Sequence, residues 1–366
     1  MAMYLGLISG TSMDAIDAAL VDFEVAPLSI IATSATPFDP DLKRRISALI
    51  DQADHVALDE VGQIDVELGR AFAQAALALM QTAGISADRV TAIGSHGQTL
   101  RHRPDLRVPF TWQIGDPNTL AEMTGVSVVA DFRRRDVAAG GQGAPLLPVF
   151  HDQVFRSDEE DRVIANLGGI ANITILTNQS SVTGFDTGPA NRLLDAWIAR
   201  HLGKEFDAGG AWAATGRVDD TLLKELLDEP YLRLAPPKST GRELFNLPWL
   251  ESKLGLFSRT PTDVQATLQQ FTACTLAAAV RQYAPGAALY VCGGGARNLG
   301  LLNAIAALIA PNRVASTAAL GLDPDYVEAV AFAWFAKRTL EGLTSSAGSV
   351  TGAQGARILG GVYRYA

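Results

Sequence analysis

Near the start of the chain, Gly10-Thr11-Ser12-Met13-Asp14 places a glycine, two hydroxyls and a carboxylate between two apolar runs. Such a turn can offer backbone N–H groups to phosphate oxygens while its acid holds the water shell of a Mg2+ ion. The same residues also suit an ordinary hairpin. Two further glycine turns end apolar runs, Leu167-Gly168-Gly169-Ile170 and Cys292-Gly293-Gly294-Gly295. The first reads as a bend or a phosphate turn, the second as close approach to a flat ligand or tight strand–helix packing. Asp186, in Gly184-Phe185-Asp186-Thr187-Gly188-Pro189, lies between an extended segment and a helix, where a carboxylate serves as a general base or as a helix cap. Arg133-Arg134-Arg135 is a solvated charge run or contains a bidentate partner for a carboxylate or phosphate. His96, at a strand end, and Glu328, among apolar neighbours, each have a structural and a ligand-binding reading. Three such turns, two of them at matching places, favour a nucleotide site.

Other chemistries find no support. The one Gly-Lys pair, Gly203-Lys204, is followed by Glu205, so there is no P-loop. The run Gly293-Gly294-Gly295-Ala296-Arg297-Asn298 lacks the third glycine of a dinucleotide fingerprint. Neither a serine-hydrolase elbow nor a histidine metal-ligand spacing occurs.

The elements that must hold these residues alternate. Strands are expected at Tyr4 to Ile8, Ala15 to Phe23, Thr91 to Ser95, Val126 to Ala130, Arg162 to Asn166, Asn172 to Thr177 and Ala287 to Cys292. Helical spacing covers Leu58 to Met80, Ala190 to His201, Arg217 to Asp228 and Asn298 to Ile309. Another helix covers Thr262 to Tyr283, with a capping box of Thr262 and Gln265, and a last one opens at Asp323-Pro324 and carries Glu328 and Trp334. Strand, glycine turn and strand recur in both halves, which predicts an α/β protein of two related lobes with a cleft between them. The lobes are expected at 1–155 and 156–366, with the extreme C-terminus packing back on the first.

The 366 residues suit two domains, and 48% hydrophobic against 19% charged residues exclude bulk disorder. A net charge of −9 leaves no broad basic surface for nucleic acid. No run of 18 apolar residues predicts a membrane span, and the first residues read as a strand and not as a signal peptide. Two cysteines, Cys274 and Cys292, fit a reducing cytoplasm.

In order along the chain, GLISGTSMDAID, AIGSHGQT, DFRRRDVAAGGQGAPL, NLGGIAN, GFDTGPAN, PKSTGRELFNLPWL, VQATL and VCGGGARN closely resemble the bacterial anhydro-N-acetylmuramic acid kinases. These belong to the sugar kinase/heat-shock protein 70/actin superfamily, and the resemblance runs from Met3 to the terminal LGGVYRY. It implies a two-lobed actin-like ATPase fold with ribonuclease H-like lobes and an interlobe active-site cleft. The implied enzyme uses ATP, Mg2+ and water to open the 1,6-anhydro bridge and phosphorylate O6, giving N-acetylmuramic acid 6-phosphate and ADP in murein recycling. The implied setting is a cytoplasmic homodimer. Gly10, Thr11, Ser12, Met13, Asp14, Ala15, Ile16 and Asp17 would form the first phosphate hairpin, with Asp14 touching the metal through water. Gly168 and Gly169 would form the second, and Gly293, Gly294, Gly295 and Asn298 the adenosine turn. Asp186 matches the catalytic aspartate, while His96, Thr99, Arg135 and Glu328 would meet the sugar. Ala15 and Ala190 stand where the family carries glycine. A related amino-sugar kinase and a non-catalytic nucleotide switch are the competing readings.

Overall fold

The computed structural model describes residues 2–10, 13–25, 28–51, 56–178, 180–255 and 259–365. The chain divides into two compact units, Met1–Phe150 with Tyr326–Ala366, and His151–Asp325.

The first unit begins with strands β1 (Met3–Ser9), β2 (Ala15–Asp22) and β3 (Ser29–Pro37), and helices α1 (Pro40–Asp51) and α2 (Leu58–Ala83). Strand β4 (Val90–Ser95) follows, then a separate hairpin of β5 (Gln98–Arg103) and β6 (Phe110–Ile114), α3 (Pro117–Thr124), β7 (Val128–Ala130) and α4 (Phe132–Ala138). The second unit is entered within α5 (Leu147–Phe155) and holds β8 (Arg162–Leu167), β9 (Ile170–Leu176), β10 (Thr183–Pro189) and α6 (Asn191–Leu202). Helices α7 (Asp220–Leu227), α8 (Leu247–Leu254) and α9 (Pro261–Tyr283), strand β11 (Ala288–Cys292), α10 (Leu299–Ile309) and β12 (Val314–Ser316) complete it. The chain then returns to the first unit as α11 (Val327–Leu340), α12 (Gly348–Thr351) and β13 (Gly361–Tyr363).

Both main sheets have one topology. The first runs β3-β2-β1-β4-β7, with β13 added at the β7 edge, and the second β10-β9-β8-β11-β12. In each, three strands form an antiparallel meander and two more join the meander's first strand in parallel. This is the ribonuclease H-like order, and its duplication is the two-lobed actin-like ATPase fold.

Two glycines determine how the first unit closes. Gly6 on β1 and Gly94 on β4 are register partners. A Cβ at Gly6 would overlap the Ala329 carbonyl of α11, and one at Gly94 the Phe332 carbonyl. Helix α11 therefore lies with its backbone directly on the sheet, and its small residues Ala329, Ala333 and Ala336 are fully buried. Phe332 packs on His96, centroids 4.8 Å apart, just beyond the end of β4, while Ala336 faces Gly94 further back. The helix thus runs against the strands and carries Glu328 toward their carboxyl ends.

The observed boundaries differ from the expected ones for local reasons. The first crossing falls between Phe150 and His151, because Phe150 packs edge-on against Trp334 at 5.8 Å whereas His151 meets Thr174 of β9 at 2.7 Å. Everything from Tyr326 onward joins the first unit, so far more than the extreme terminus returns. The last long helix starts at Val327 and not at Asp323-Pro324. Helix α9 is capped by Thr260, whose side chain accepts from Asp263 N, and not by Thr262; Gln265 is buried and turned toward Asp207. The arginine trio lies on a helix, α4.

Gly94→Ala is expected to lower stability by about 3 kcal/mol in urea unfolding, because backbone cannot retreat as a side chain can. Gly62→Ala on α2, where an added Cβ meets nothing within 4 Å, is expected to raise it by about 0.5–1 kcal/mol. Burial pushes the His151 imidazole down to about 3. The unfolded chain therefore takes up that proton first, so the contribution of the neutral ring is intact above about pH 6.5 and is lost as pH falls toward 3. Unfolding midpoints measured from pH 7 to pH 4 should fall less steeply in His151→Gln than in the parent.

Candidate active site

In the second unit, two glycine turns converge on the start of α6. The Gly168-Gly169 turn joins β8 to β9, and its carbonyls accept the first amides of the helix: Asn191 N to Gly168 O at 3.0 Å, and Ala190 N and Arg192 N to Gly169 O at 3.0 and 3.1 Å. A Cβ on Gly168 would find no heavy atom closer than 3.8 Å, so the turn is not crowded there. Gly293 has φ +77°, and a Cβ there would overlap Asn166 Oδ1, while one on Gly295 would crowd Leu167. Packing fixes both, and at Gly293 the left-handed backbone does so as well. Gly294 differs, since its nearest neighbour would be Asn191 Nδ2 at 3.7 Å. Asn191 itself donates to Leu167 O at 2.8 Å and ties both turns to the helix. Asn298 caps α10 by accepting from Leu301 N at 3.0 Å.

Asp186 sits on β10 at a bulge. It pairs with Asn172, Gly188 pairs with the adjacent Ala171, and Thr187 is the extra residue. Bulges re-aim side chains beside functional sites, and here Gly188 at φ +150° supplies the backbone freedom. The Asp186 side chain is mostly buried, and its Oδ2 accepts from Thr240 N at 2.9 Å. Its own N–H donates to Lys238 O at 3.3 Å, and its carbonyl accepts from the Tyr231 hydroxyl at 2.8 Å. Three bonds therefore hold the residue from the 231–240 segment.

Lys238 secures that segment. Its ammonium donates to Tyr231 O and Leu232 O at 3.3 and 3.2 Å and lies 4.8 Å from the Tyr231 ring centroid. Burial lowers its pKa, and the nearby Asp186 charge opposes that shift. The Tyr231 phenol is pushed up by burial and then by Asp186 and Glu243, so it stays a proton donor to the Asp186 carbonyl. Sequence reasoning assigned no role to Lys238, Tyr231 or Thr240. The available signal was the Pro236-Pro237-Lys238-Ser239-Thr240-Gly241 stretch, polar and turn-rich before an apolar helix.

The first unit holds the remaining candidates. Thr11 and Ser12 lie outside the described residues. The hairpin is closed by Met13 N donating to Gly10 O at 3.1 Å, and the left-handed residue is Met13 at φ +53°. Ala15 opens β2 opposite Pro37 in extended conformation, so the family's missing glycine there carries no positive-φ cost. Met13 and Ile16 are buried in the core, and Asp17 lies within β2 opposite Ile8. Asp14 is exposed, with Lys43 Nζ at 3.4 Å from its Oδ1. Ala190 is fully buried at φ −114°, immediately before α6.

His96 engages both ring nitrogens within the protein. Nδ1 bonds Gly97 O at 2.9 Å, and Nε2 accepts from Arg133 Nε at 2.9 Å. Burial, and then the Arg133 charge, push its pKa well down, so the ring is neutral with its proton on Nδ1. Arg133 also donates to Gly143 O at 2.8 Å, and Arg134 to Thr111 O at 3.3 Å with Asp131 beside it at 3.4 Å. Arg135 is exposed, and its side chain makes no hydrogen bond or ion pair among the described residues. Thr99 is half-buried and accepts from Gln113 Nε2 at 3.1 Å, and Glu328 is half-buried in the first turn of α11.

Solved structures resemble the chain only loosely: an activator of the 2-hydroxyisocaproyl-CoA dehydratase from Clostridium difficile with bound ADPNP covers 94% of it at 13% identity, TM-score 0.49. Sequence relatives are much nearer. An anhydro-N-acetylmuramic acid kinase of Coxiella burnetii is 52% identical over 363 residues, 98% of this chain and 97% of the relative. One of Xanthomonas campestris pv. campestris is 50% identical over 365 residues, 99% of this chain and 97% of its own. The profile of the same family matches residues 2–365. The chain belongs to the anhydro-N-acetylmuramic acid kinase family.

Proposed function

We propose that this kinase uses ATP and water to open the 1,6-anhydro bridge of anhydro-N-acetylmuramic acid and to phosphorylate the released O6, with Asp186 as the base. One observation carries the reading: a buried carboxylate at a β-bulge, held on one oxygen by a backbone amide, on the unit whose glycine turns adjoin a helix start. A Cβ at Gly168 or Gly294 would meet only ordinary van der Waals contacts, at 3.8 and 3.7 Å, and the start of α6 lies next to both. That combination suits nucleotide phosphates. Asp14, a single exposed carboxylate already facing Lys43, suits a water-mediated hold on Mg2+ and not direct ligation. When bound, Mg2+ neutralises charge on the phosphates.

In this reading Asp186 takes a proton from water as the water oxygen bonds to the anomeric carbon. The C1–O6 bond breaks, O6 takes the γ-phosphoryl group, and ADP departs. On the sugar side, His96 acts through Arg133, while Arg135 is available to the lactyl carboxylate. Thr99 and Glu328 complete that side. A cytoplasmic setting suits a kinase whose two cysteines are both free, and the homodimer rests on the family alone. No helix among the described residues is long and apolar enough to cross a membrane.

The test is product mass from ATP, Mg2+ and the anhydro sugar in 18O-labelled water. One labelled oxygen in a phosphorylated sugar is the expected result. ATP binding with the sugar returned unchanged would defeat the substrate assignment and favour another amino sugar or a nucleotide switch. Asp186→Asn should lower kcat by about 10²–10⁴-fold while ATP still binds. Lys238→Met should lower kcat more than it raises KM for ATP, by about tenfold for a misplaced base, with Lys238→Arg recovering part of the loss.

A further inference from the structure

Two turns that the kinase reading assigns to different ligands are joined by one buried bond. Strand β1 ends at Ser9, directly before Gly10 of the phosphate hairpin, and β5 begins at Gln98, directly before Thr99 on the sugar side. The Ser9 hydroxyl donates to Gln98 Oε1 at 2.6 Å, between residues 89 positions apart. Ser9 is 1% exposed and Gln98 2%, so neither side chain is placed to meet a ligand. A serine has one proton to donate, and this one is engaged inside the protein.

The surrounding backbone makes that bond a link between two diverging segments. The parallel ladder of β1 and β4 ends at Leu7 and Ser95, with one more bond from His96 N to Leu7 O at 2.9 Å. Past it the two chains part. Ser9 leads through the turn closed by Met13 N and Gly10 O at 3.1 Å into β2, where its register partner is Ile16. His96-Gly97 leads into the β5–β6 hairpin. Gly97 is left-handed, φ +70°, and a Cβ there would overlap the Ile114 carbonyl, so the entry to β5 lies directly on the end of β6. Gln98 pairs with Ile114 and Thr99 with Gln113, whose amide nitrogen donates to the Thr99 hydroxyl at 3.1 Å. A displacement of Gln98 therefore carries Thr99 and the hairpin with it.

Stability alone does not call for this pair. Replacing both partners of a buried neutral hydrogen bond by apolar groups of the same shape is nearly neutral, and the preceding Leu5-Gly6-Leu7-Ile8 of β1 is apolar and buried. What the bond adds is direction, because it fixes one strand end against the other. We propose that Ser9 and Gln98 are positioning residues that couple the two ligands: phosphates held at the Gly10 hairpin fix Ser9, Ser9 fixes Gln98, and Gln98 sets Thr99 for the sugar. The effect is reciprocal, so bound sugar steadies the phosphate hairpin equally. The coupling rests on the sugar-kinase reading above. In that reading it keeps O6 in line with the γ-phosphorus, where a misplacement of about 1 Å costs about 10²-fold in rate.

The experiment is calorimetry with anhydro-N-acetylmuramic acid, alone and with Mg2+ and a saturating non-hydrolysable ATP analogue, and its readout is the ratio of the two sugar Kd values. In the parent the analogue should tighten sugar binding about fivefold or more. Ser9→Ala combined with Gln98→Leu removes both partners, so its melting temperature should stay near the parent's while the ratio falls about fivefold, toward one. Its Kd for either ligand alone should stay within about twofold of the parent's. Each single change leaves one buried polar group unpaired and should melt earlier, with the same loss of ratio. A purely structural bond would move the melting temperature and leave the ratio. Ser9→Ala, the loss of one oxygen, decides the matter if the larger changes unfold the chain. An unchanged ratio in folded variants overturns the proposal. So does a parent that turns over the sugar with a ratio of one, a result that leaves the kinase reading intact. A parent that binds the analogue but not the sugar defeats the kinase reading itself, and the coupling falls with it.

Discussion

The contact of α11 with the paired glycines of β1 and β4 governs the first unit. Helix backbone against strand backbone is closer than any side chain permits, and Gly6 and Gly94 sit side by side to allow it. The consequence reaches well beyond packing. A segment beginning at Tyr326 is drawn back across the sequence to the unit that opened the chain. Phe332 is thereby brought onto His96, and His96 is held neutral and oriented to accept from Arg133. A carboxylate from the far end of the sequence, Glu328, is delivered toward the strand ends that also carry Ser95 and His96.

The second unit meets a different requirement, which is to keep a carboxylate buried and oriented. The Thr240 amide holds one carboxylate oxygen, and the Lys238 ammonium pins the 231–240 segment that carries that amide. Meanwhile the Gly168-Gly169 turn spends its carbonyls on the first amides of α6, so that turn is anchored by its acceptor side.

Much of this was legible in the sequence, because period and punctuation show in single residues. The β1 and β2 hairpin, the β8 and β9 repeat of it, and the strand before Gly293 announced themselves as apolar runs ended by glycine. Local rules failed where tertiary packing decides. Of Gly293-Gly294-Gly295 the middle one is the least crowded, and the approach of Asn166 and Leu167 shows that the outer two are structural. Thr262 and Gln265 match a capping box, yet Thr260 precedes Pro261 and takes the cap. Ala15 reads as a strained replacement until Met13 is found to carry the left-handed turn. Lys238 could not be found by spacing, since its partners are carbonyls and ring faces and not charged residues at a fixed interval.

The arginine trio shows how structure sorts residues that sequence presents as equals. On a helix, three successive residues point in three directions about 100° apart. Arg133 turns inward to His96 and Gly143, Arg134 to Asp131, and Arg135 to solvent. A guanidinium already bonded to a neutral imidazole and a carbonyl keeps its charge but has fewer donors for a ligand. Arg133 therefore acts as the fixed member, and its charge adds to burial, the larger cause, in lowering the pKa of His96 and His102. That constraint ties the His96 loop to α4, so the end of β4 and the helix that presents Arg135 must move together.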